Sequence, residues 1–416
     1  MKTLIKDGTV FTCGRLKKAD ILIEDGKITY IGRAKQQADE VINALGLTVS
    51  PSFIDLHVHL REPGFESKET IRTGTMAAAA GGYTLVCAMP NLSPPPDSLD
   101  SLNIELQRIR DTAVIEVLPY GKITHDGISL SDMQALSPFV AGFSDDGKGV
   151  QSIELMRIAM KNAAEHGSLI AAHCEDESLL SGGCVHDGVY ARLHGLKGIS
   201  SASEYMQLRR DLELAQTTGC RYHMCHISCA ESVAAIRRAK FDKVNVTCEI
   251  TPHHALLCDM DMEDDGRFKM NPPLRDSSDL KALVQAMQDG TIDVIATDHA
   301  PHTIEEKSKG LQASAMGVVG LETAFAVLYT GLVLKKELGL ERLLTMMSTA
   351  PAKILGRSHD IDIGCPADIT LLDLNTEYKI DPATFKSMGR STPFSGNKVK
   401  GRVVRTILNG RTVFTF

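Results

Sequence analysis

Histidine, aspartate and asparagine side chains recur in this sequence at the ends of short apolar segments. His57 and His59 close the first such segment, and Arg61 follows two residues later. Because residues i and i+2 of a β-strand project from the same face, both imidazoles can bind one metal ion. Later apolar segments end in the same kinds of side chain: Asn91, Asp145 and Asp146, His173, His226, His253 and His254, and Asp298.

These residues could support the chemistry of a divalent metal centre. Imidazole and carboxylate ligands without thiolate are typical of catalytic zinc, or of a neighbouring divalent transition metal, rather than of structural zinc. Four histidines and two aspartates from five segments are too many ligands for one catalytic ion with an open position. They predict two ions bridged by a carboxylate, which together acidify a shared water and polarise a carbonyl oxygen.

Eight apolar segments of strand length must hold these side chains in place. They are SFIDLHVH, YTLVCAMPN, AVIEVLPYG, VAGFSDDG, SLIAAHCED, RYHMCHIS, VNVTCEITPHH and IDVIATDHAPH. The helical segments between them include ETIRTGTMAAAAGG, SIELMRIAMKNAAEHG, SEYMQLRRDLELAQTTG, ESVAAIRRAKF and SDLKALVQAMQDG. Apolar strands that alternate with helices predict an α/β protein whose parallel sheet is covered on both faces.

Eight such units favour a closed (β/α)8 barrel, in which the active site lies at the carboxyl ends of the strands. A doubly wound open sheet is the competing arrangement, but no GxGxxG loop follows the first strand to support it. The stretch 300–319 is rich in glycine and shows no clear helix before about Gly320. Since loops after barrel strands often shape the site, we expect this stretch to border the substrate.

The two ends of the chain resemble each other and differ from the middle. TLIKDGTVFTCG and ADILIEDGKITYIG alternate apolar and polar residues around Asp-Gly turns. PADITLLDL and VVRTILNGRTVFTF are also strand-like, around an Asn-Gly turn. We therefore expect residues 1–51 and 361–416 to form one small composite β domain, and residues 52–360 to form the barrel.

The composition excludes several classes of partner. A net charge of −7 argues against nucleic-acid binding, which needs a basic surface. No stretch approaches the roughly 18 apolar residues of a membrane span, and the first residues lack the apolar core of a signal peptide. The ten cysteines form no CxxC pair, and several lie in apolar segments, as buried thiols do in a reducing compartment. We expect a cytoplasmic protein that acts on a small molecule.

Nine short motifs carry a family resemblance across the whole barrel. In chain order they are DLHVHLREPG, GGYTLVCAMPN, FSDDGKGVQ, AHCED, CHIS, TPHH, NPPLR, ATDHAPH and GLET. The HxH pair with a late aspartate resembles the amidohydrolase superfamily as a whole. HLREPG, NPPLR and TDHAPH together are more specific and resemble its bacterial dihydroorotase family. The resemblance implies a TIM-like barrel enzyme that interconverts N-carbamoyl-L-aspartate and L-dihydroorotate in de novo pyrimidine biosynthesis.

The resemblance also implies roles for the polar residues at the strand ends. Two Zn²⁺ ions per chain would be held by His57, His59 and Asp298 at the first ion, by His173 and His226 at the second, and by Asp146 as the bridge. Asp145 is the less favoured bridge. Many relatives use a carboxylated lysine instead, and Lys148 is close enough to be considered, although we interpret it as a solvated loop lysine. Other divalent transition metals would suit the same ligands.

The substrate residues follow from the same comparison of motifs. Arg61 would bind the substrate carboxylate through two parallel hydrogen bonds, because guanidinium matches carboxylate geometry. The alternative for Arg61 is a surface ion pair, for instance with Glu62. Asp298 would act first as a base and then as an acid. The resemblance adds three further substrate-binding residues: Asn91, Asn271 and His302.

Two other functions compete with this interpretation. Allantoinase, hydantoinase and dihydropyrimidinase share the barrel and metal set, but their ring substrates lack the carboxylate that Arg61 would bind. A metal-free scaffolding relative would have inert residues at the ligand positions, and all six ligands are retained. The sequence leaves open the roles of His253, His254 and His299. It also leaves open the oligomeric state, although a homodimer is common for this architecture, and any association with aspartate carbamoyltransferase.

Overall fold

The computed structural model describes residues 2–34 and 36–416, and it joins a sheet built from both termini to a barrel of parallel strands. The strands are β1 Lys2–Thr12, β2 Arg15–Glu24, β3 Lys27–Gly32, β4 Glu40–Asn43, β5 Thr48–Pro51, β6 Phe53–Val58, β7 Tyr83–Ala88, β8 Glu116–Pro119, β9 Gly121–Lys122, β10 Thr124–His125, β11 Ser129–Leu130, β12 Phe143–Ser144, β13 Leu169–Ala172, β14 Val185–His186, β15 Gly198–Ile199, β16 Arg221–Met224, β17 Val246–Ile250, β18 Val294–Ile295, β19 Ile369–Lys379, β20 Lys398–Leu408 and β21 Arg411–Thr415.

The α-helices lie mainly between the barrel strands. They are α1 Ile71–Ala80, α2 Leu99–Thr112, α3 Met133–Leu136, α4 Ile153–Glu165, α5 Val189–His194, α6 Ala202–Thr218, α7 Ala230–Phe241, α8 Pro252–Leu256, α9 Ser277–Asp289, α10 Ile304–Lys307, α11 Gly310–Ala313, α12 Ala324–Leu328, α13 Leu340–Met347 and α14 Thr349–Ile354. Within the described residues, none of the helices is long and apolar enough to cross a membrane.

Parallel strands close into a barrel. β6, β7 and β8 pair in that order, and a second run pairs in the order β9, β12, β13, β16, β17 and β18. Only Tyr120 separates β8 from β9, so these two short strands fill one position of the ring. The ring closes where the His59 amide donates to the His299 carbonyl at 2.8 Å, beside a parallel bridge between Val58 and His299. The predicted (β/α)8 barrel is confirmed.

Burial and helix caps explain why these segments form barrel units. Every residue of β6 and β7 is buried, as expected for strands covered on both faces. Helix α4 begins after Ser152, whose side chain accepts from the Leu155 amide, and α9 ends at Gly290 with φ 85°. Serine at the first position and a left-handed glycine after the last are the usual helix boundaries. The structure contains a strand in each of the eight predicted strand segments and a helix at each of the five predicted helical segments.

The loop after the eighth strand differs from the prediction. Stretch 300–319 contains the short helices α10 and α11, where no helix was expected before about Gly320. Thr303 begins α10 with a capping box, because its side chain accepts from the Glu306 amide while Glu306 reaches back to the Thr303 amide. One helical turn has too few residues to give an apolar periodicity, so the pattern of the sequence did not reveal it.

The two ends of the chain share one eight-stranded sheet. Its order is β21-β20-β19-β5-β1-β2-β3, with β4 beside β1, and β5 joins the two ends by pairing with both β1 and β19. Asn409 and Gly410 form the expected turn between β20 and β21. Asp7-Gly8 was predicted to be a turn and is a bulge inside β1, where the register shifts and the Asp7 amide donates to Asp20. The domain boundaries, residues 1–51 with 361–416 for the β domain and residues 52–360 for the barrel, are a proposal.

Candidate active site

The six predicted metal ligands come together at the carboxyl ends of the barrel strands. All six side chains are buried. They are His57 in β6 and His59 just after it, Asp146 after β12, His173 after β13, His226 after β16, and Asp298 after β18. The barrel therefore brings into one small volume residues that lie up to 241 positions apart in the chain, from His57 to Asp298.

One half of this cluster is formed by the HxH pair and the last aspartate. Oδ1 of Asp298 lies 3.1 Å from His59 Nε2 and 3.4 Å from His57 Nε2. The ligand atoms of these three residues all lie within 4.8 Å of one another, close enough to bind one ion. Asp298 adopts a φ of 45°, so its backbone lies in the left-handed region that a non-glycine residue rarely adopts.

The other half contains two imidazoles, and a carboxylate lies between the halves. His173 Nδ1 is 2.9 Å from His226 Nε2. Oδ1 of Asp146 is 3.6 Å from His173 Nδ1 and 3.4 Å from His57 Nε2. Its Oδ2 is 3.5 Å from His59 Nε2. The Asp146 carboxylate therefore faces imidazoles of both halves at once.

The cluster has the electrostatic character of a cation site. Among residues 2–34 and 36–416, buried atoms without a hydrogen-bond partner include His57 Nε2 and Asp146 Oδ1. Burial opposes protonation of His57, but the carboxylates of Asp298, Asp146 and Glu249 together outweigh burial and raise the pKa of His57 to about 10. Burial likewise opposes the charged form of Asp146, yet the surrounding imidazoles hold its pKa well below the ordinary value. These carboxylates strongly favour positive charge among the imidazoles, and the donors fit divalent transition metals.

A carboxylate beneath the cluster orients His57. Glu249, in β17, accepts from His57 Nδ1 at 2.8 Å and from His223 Nε2 at 2.9 Å. His223 Nδ1 lies 2.7 Å from the Thr247 hydroxyl. Burial opposes the charge on Glu249, but hydrogen bonds from His223 and His57 lower the pKa of Glu249 to about 2. Because Nδ1 donates to Glu249, Nε2 is the nitrogen of His57 that faces the cluster, and it is the atom that would bind a metal ion once its proton is displaced.

The two alternative bridging groups lie elsewhere. Asp145 turns away from the cluster, since its Oδ1 accepts from the amides of Ile123 and Thr124 at 3.0 and 3.2 Å and lies 3.2 Å from Lys122 Nζ. Lys148 is exposed on the loop after β12. The geometry therefore gives the position between the two halves to Asp146 alone of these three residues.

A pocket of about 230 Å³ opens over the cluster and is lined by the four predicted substrate residues, Arg61, Asn91, Asn271 and His302. Ala300, Met316 and Gly317 also line the pocket, so the stretch 300–319 borders it. A volume below the usual range of drug-sized sites suits a small, compact ligand. A larger hollow of about 590 Å³, lined by Arg221 and Arg342 among others, contains none of the clustered histidines.

Arg61 enters this pocket without a carboxylate partner among the described residues. Its Nε donates to the Pro301 carbonyl at 3.2 Å, and its Nη2 lies 3.4 Å from His302 Nε2. Glu62, the alternative partner, instead accepts from Arg108 Nη1 at 3.0 Å. Burial lowers the pKa of Arg61, although an arginine remains charged under all ordinary conditions. The terminal nitrogens of its guanidinium are thus left to bind an anion in the pocket.

The other three predicted substrate residues are oriented by neighbouring groups. His302 Nε2 donates to the Met316 carbonyl at 2.8 Å, and burial, with Arg61 and Lys68 nearby, lowers the pKa of His302 to about 4. Asn91 Nδ2 donates to the Asp146 carbonyl at 2.9 Å. Asn271 Nδ2 donates to the Glu175 carboxylate at 2.8 Å. His302 is therefore a neutral donor near neutral pH.

The three histidines whose roles the sequence left open lie outside the cluster of six predicted ligands. His254 contacts the Thr251 hydroxyl at 2.8 Å through Nδ1 and the Pro272 carbonyl at 3.0 Å through Nε2, so it joins two loops. His299 lies 3.4 Å from Glu69 and accepts from the Gly320 amide at 3.3 Å. His253 is buried and its Nε2 has no partner within the described part of the chain. Burial lowers its pKa well below the ordinary value, which keeps it neutral.

Sequence reasoning missed three residues that support the site: Glu249, His223 and Glu175. A signal for Glu249 was present, because it is the one charged residue in the apolar strand β17. A charged residue is almost never fully buried unless it is paired. Glu175 belongs to the motif AHCED, where only His173 was given a role. Nothing in the spacing connects His223 with Glu249, since the pairing of β16 with β17 sets their contact.

Comparisons with known proteins agree with the site. A family model described as dihydro-orotase-like matches residues 46–232. A dihydroorotase from Geobacillus sp. strain WCH70 is 50% identical over 100% of this chain and 99% of the relative. A dihydroorotase from Halalkalibacterium halodurans is 48% identical over 100% of this chain and 98% of the relative. Among solved structures, an L-hydantoinase (dihydropyrimidinase) from Arthrobacter aurescens has a TM-score of 0.88 at 25% identity, covering 99% of this chain and 95% of that one.

Proposed function

This chain belongs to the dihydroorotase family, and we propose that it interconverts N-carbamoyl-L-aspartate and L-dihydroorotate by closing and opening a cyclic amide. Identity of 50% over the whole length to a dihydroorotase supports this activity over that of the L-hydantoinase from Arthrobacter aurescens, which is 25% identical. The observation that carries the choice of substrate is Arg61. Its guanidinium lies in the pocket over the clustered histidines and has no carboxylate partner among the described residues, so a ring substrate that bears a carboxylate would pair with it.

Membership of the family implies a divalent metal at the site, and we propose two Zn²⁺ ions. His57, His59 and Asp298 would hold the first, His173 and His226 would hold the second, and Asp146 would bridge them. Divalent ions at this position would acidify the attacking water and polarise the substrate carbonyl. Support for the bridging role comes from the Asp146 carboxylate, whose two oxygens face imidazoles of both halves.

Asp298 is the group that we propose moves the proton. In ring opening its carboxylate accepts a proton from the attacking water and then donates it to the departing ring nitrogen. Burial opposes its charge, but His57 and His59 hold the pKa of Asp298 below its ordinary value, which keeps it ready to accept. In ring closure the same carboxylate acts in the reverse order.

The pocket walls orient the substrate for this transfer. We propose that Arg61 binds the ring carboxylate through its two terminal nitrogens, with Asn91 and Asn271 as further donors. His302 completes the substrate pocket as part of its wall, because its one N–H donates to the Met316 carbonyl. His302 contributes as a neutral imidazole, since its pKa of about 4 lies below physiological pH. Because these donors are fixed by main-chain and side-chain partners, the substrate meets a preorganised site and little ordering is needed on binding.

The activity is tested with matched substrates. The purified protein should open dihydroorotate, followed by ultraviolet absorbance, far faster than it opens hydantoin, dihydrouracil or allantoin. Preference for any of these uncharged rings would replace the proposal with a hydantoinase-like function. Metal analysis tests the scaffold alternative: about two zinc ions per chain support the enzyme, and none after careful handling supports a metal-free scaffold.

The setting of the enzyme is also part of the proposal. We propose a cytoplasmic enzyme of pyrimidine biosynthesis, on the basis of the family and of the buried free cysteines. A homodimer is the expected assembly for this architecture.

A further inference from the structure

A buried lysine behind the substrate pocket is used by none of the steps above. Lys307, the last residue of α10, is 7% exposed. Its Nζ donates to three main-chain carbonyls, those of Lys269 at 3.0 Å, Ala315 at 2.7 Å and Gly317 at 2.6 Å. An ammonium group has three N–H donors and no acceptor. These three carbonyls therefore use its whole donor capacity.

We call residues 315–318 the 315–318 loop. Each of its four main-chain carbonyls accepts a hydrogen bond. Lys307 binds the carbonyls of Ala315 and Gly317, and His302 Nε2 donates to the Met316 carbonyl between them. The Ala300 amide donates to the next carbonyl, that of residue 318, at 2.8 Å. Four successive peptide groups thus have fixed orientations, and two of them depend on Lys307.

This loop forms part of the pocket wall. Met316 and Gly317 line the pocket together with His302. The fit is tight, since a Cβ on Gly317 would lie 2.8 Å from the Ala300 carbonyl and 3.2 Å from His302 Nε2. The third carbonyl bound by Lys307 belongs to Lys269, which also accepts from the Gly317 amide at 3.0 Å. Any change in the loop is therefore passed to His302 and to the segment that leads to Asn271.

We propose that Lys307 is a positioning residue for substrate binding: it holds the 315–318 loop, and through it His302, in the arrangement that accepts the ring substrate. This inference rests on the dihydroorotase function proposed above. Lys307 acts only through the loop, because its ammonium group is fully engaged with main-chain carbonyls. It should therefore affect the affinity for substrate more than the rate of the chemical step.

The protonation state of Lys307 gives the proposal a pH dependence. Burial lowers the pKa of Lys307 to about 7; Lys269 lowers it further, while Asp265 and Glu306 oppose the shift. His302, with a pKa of about 4, stays neutral throughout this range. A neutral amine has only two N–H donors, so one of the three carbonyls loses its donor as the pH rises above about 7. The wild-type KM should therefore rise with pH in this range.

The test compares Lys307→Met with Lys309→Met, a control at an exposed lysine two residues away. We expect Lys307→Met to raise KM for dihydroorotate about tenfold, which corresponds to about 1.4 kcal/mol of binding free energy. Its kcat and metal content should stay within about twofold of the control. Hydrogen exchange of peptides that contain the 315–318 loop should be faster than in the control, and the rise of KM with pH should disappear.

Other outcomes separate this inference from its premise. Unchanged KM and unchanged exchange in Lys307→Met would overturn the inference, as would lower kcat and thermal stability at constant KM. If the wild-type protein does not open dihydroorotate, the proposed function fails, and the exchange comparison still decides whether Lys307 orders the loop. If Lys307→Met does not fold, wild-type exchange measured well below and well above pH 7, corrected for intrinsic rates, decides the same question: equal protection at both would overturn the inference.

Discussion

Replacing Glu249 by glutamine would test how the chain prepares His57 to bind metal. The substitution keeps the shape of the side chain and removes one fully buried negative charge. The amide oxygen of glutamine can still accept from His57 Nδ1, now 2.8 Å from the carboxylate. Its NH₂ group would face His223 Nε2, and His223 can accept there by placing its own proton on Nδ1, toward Thr247. The change therefore isolates the charge.

The expected loss of zinc affinity follows from the position of the Glu249 charge beside His57. Removing the partner of a metal-binding histidine typically costs 10- to 100-fold in metal affinity, or about 1.4 to 2.7 kcal/mol. The short, fully buried contact with His57 argues for the upper end of this range. The same charge also favours the proton that the metal must displace from His57, whose pKa is about 10. Removing the charge therefore also weakens the competing proton. Because the proton carries one positive charge and the metal two, this effect cancels about half of the lost binding free energy. The net loss of zinc affinity is about tenfold.

The measurement is a zinc titration of metal-free protein against a chromophoric chelator. Glu105→Gln is the matched control, because Glu105 is a buried glutamate of α2 outside the cluster, and burial raises the pKa of its carboxyl group well above the ordinary value. We expect Glu249→Gln to weaken the tighter zinc site about tenfold and Glu105→Gln to leave it unchanged. Equal affinities in wild type and Glu249→Gln would refute the reasoning, since the charge would then contribute nothing to His57 as a ligand.

Three further predictions follow from single contacts. Arg61→Lys should lower kcat/KM for dihydroorotate by roughly 100-fold or more while the metal content stays full, because lysine cannot bind a carboxylate through two parallel nitrogens. Unchanged kinetics would show that Arg61 does not bind the substrate. Lys148→Met should keep zinc content and activity within about twofold of wild type, since Lys148 is exposed, whereas loss of metal would indicate a carboxylated lysine bridge. Gly81→Ala would place a methyl group 2.1 Å from the Leu321 carbonyl oxygen and should lower the free energy of unfolding by roughly 2 kcal/mol, whereas Gly339→Ala, with open space around it, should not.

The sequence was most informative at the ends of the barrel strands, where polar side chains recur in successive strand–helix units. Apolar strands followed by helices specify the barrel, and the barrel brings its strand ends together whatever the loops between them do. The HxH spacing then places two imidazoles on one face, because a strand has a period of two. For these reasons the position of the candidate site could be predicted without knowing the length or shape of any loop.

The sequence was least informative at the residues just beyond the strand ends. Asp145 and Asp146 are neighbours, so one of them must point away from the cluster. The alternation of side chains along a strand cannot decide which one, because β12 ends at Ser144. The structure decides it through the amides of residues 123 and 124, which bind Asp145. Contacts of this kind join parts of the chain that no local pattern connects. The same limit applies to Glu249 beneath His57.

Backbone strain explains why the site is built on a barrel rather than on loops alone. Arg61, His226 and Asp298 have φ values of 62°, 32° and 45°, in the left-handed region where each non-glycine residue costs roughly 1 to 3 kcal/mol. Each follows a barrel strand by a few residues, at the point where the chain must turn sharply and still aim its side chain at the common centre. Such strain persists only where the surroundings over-determine the conformation. The paired strands before these residues provide that constraint, so the stability of the barrel and the geometry of the candidate site are coupled.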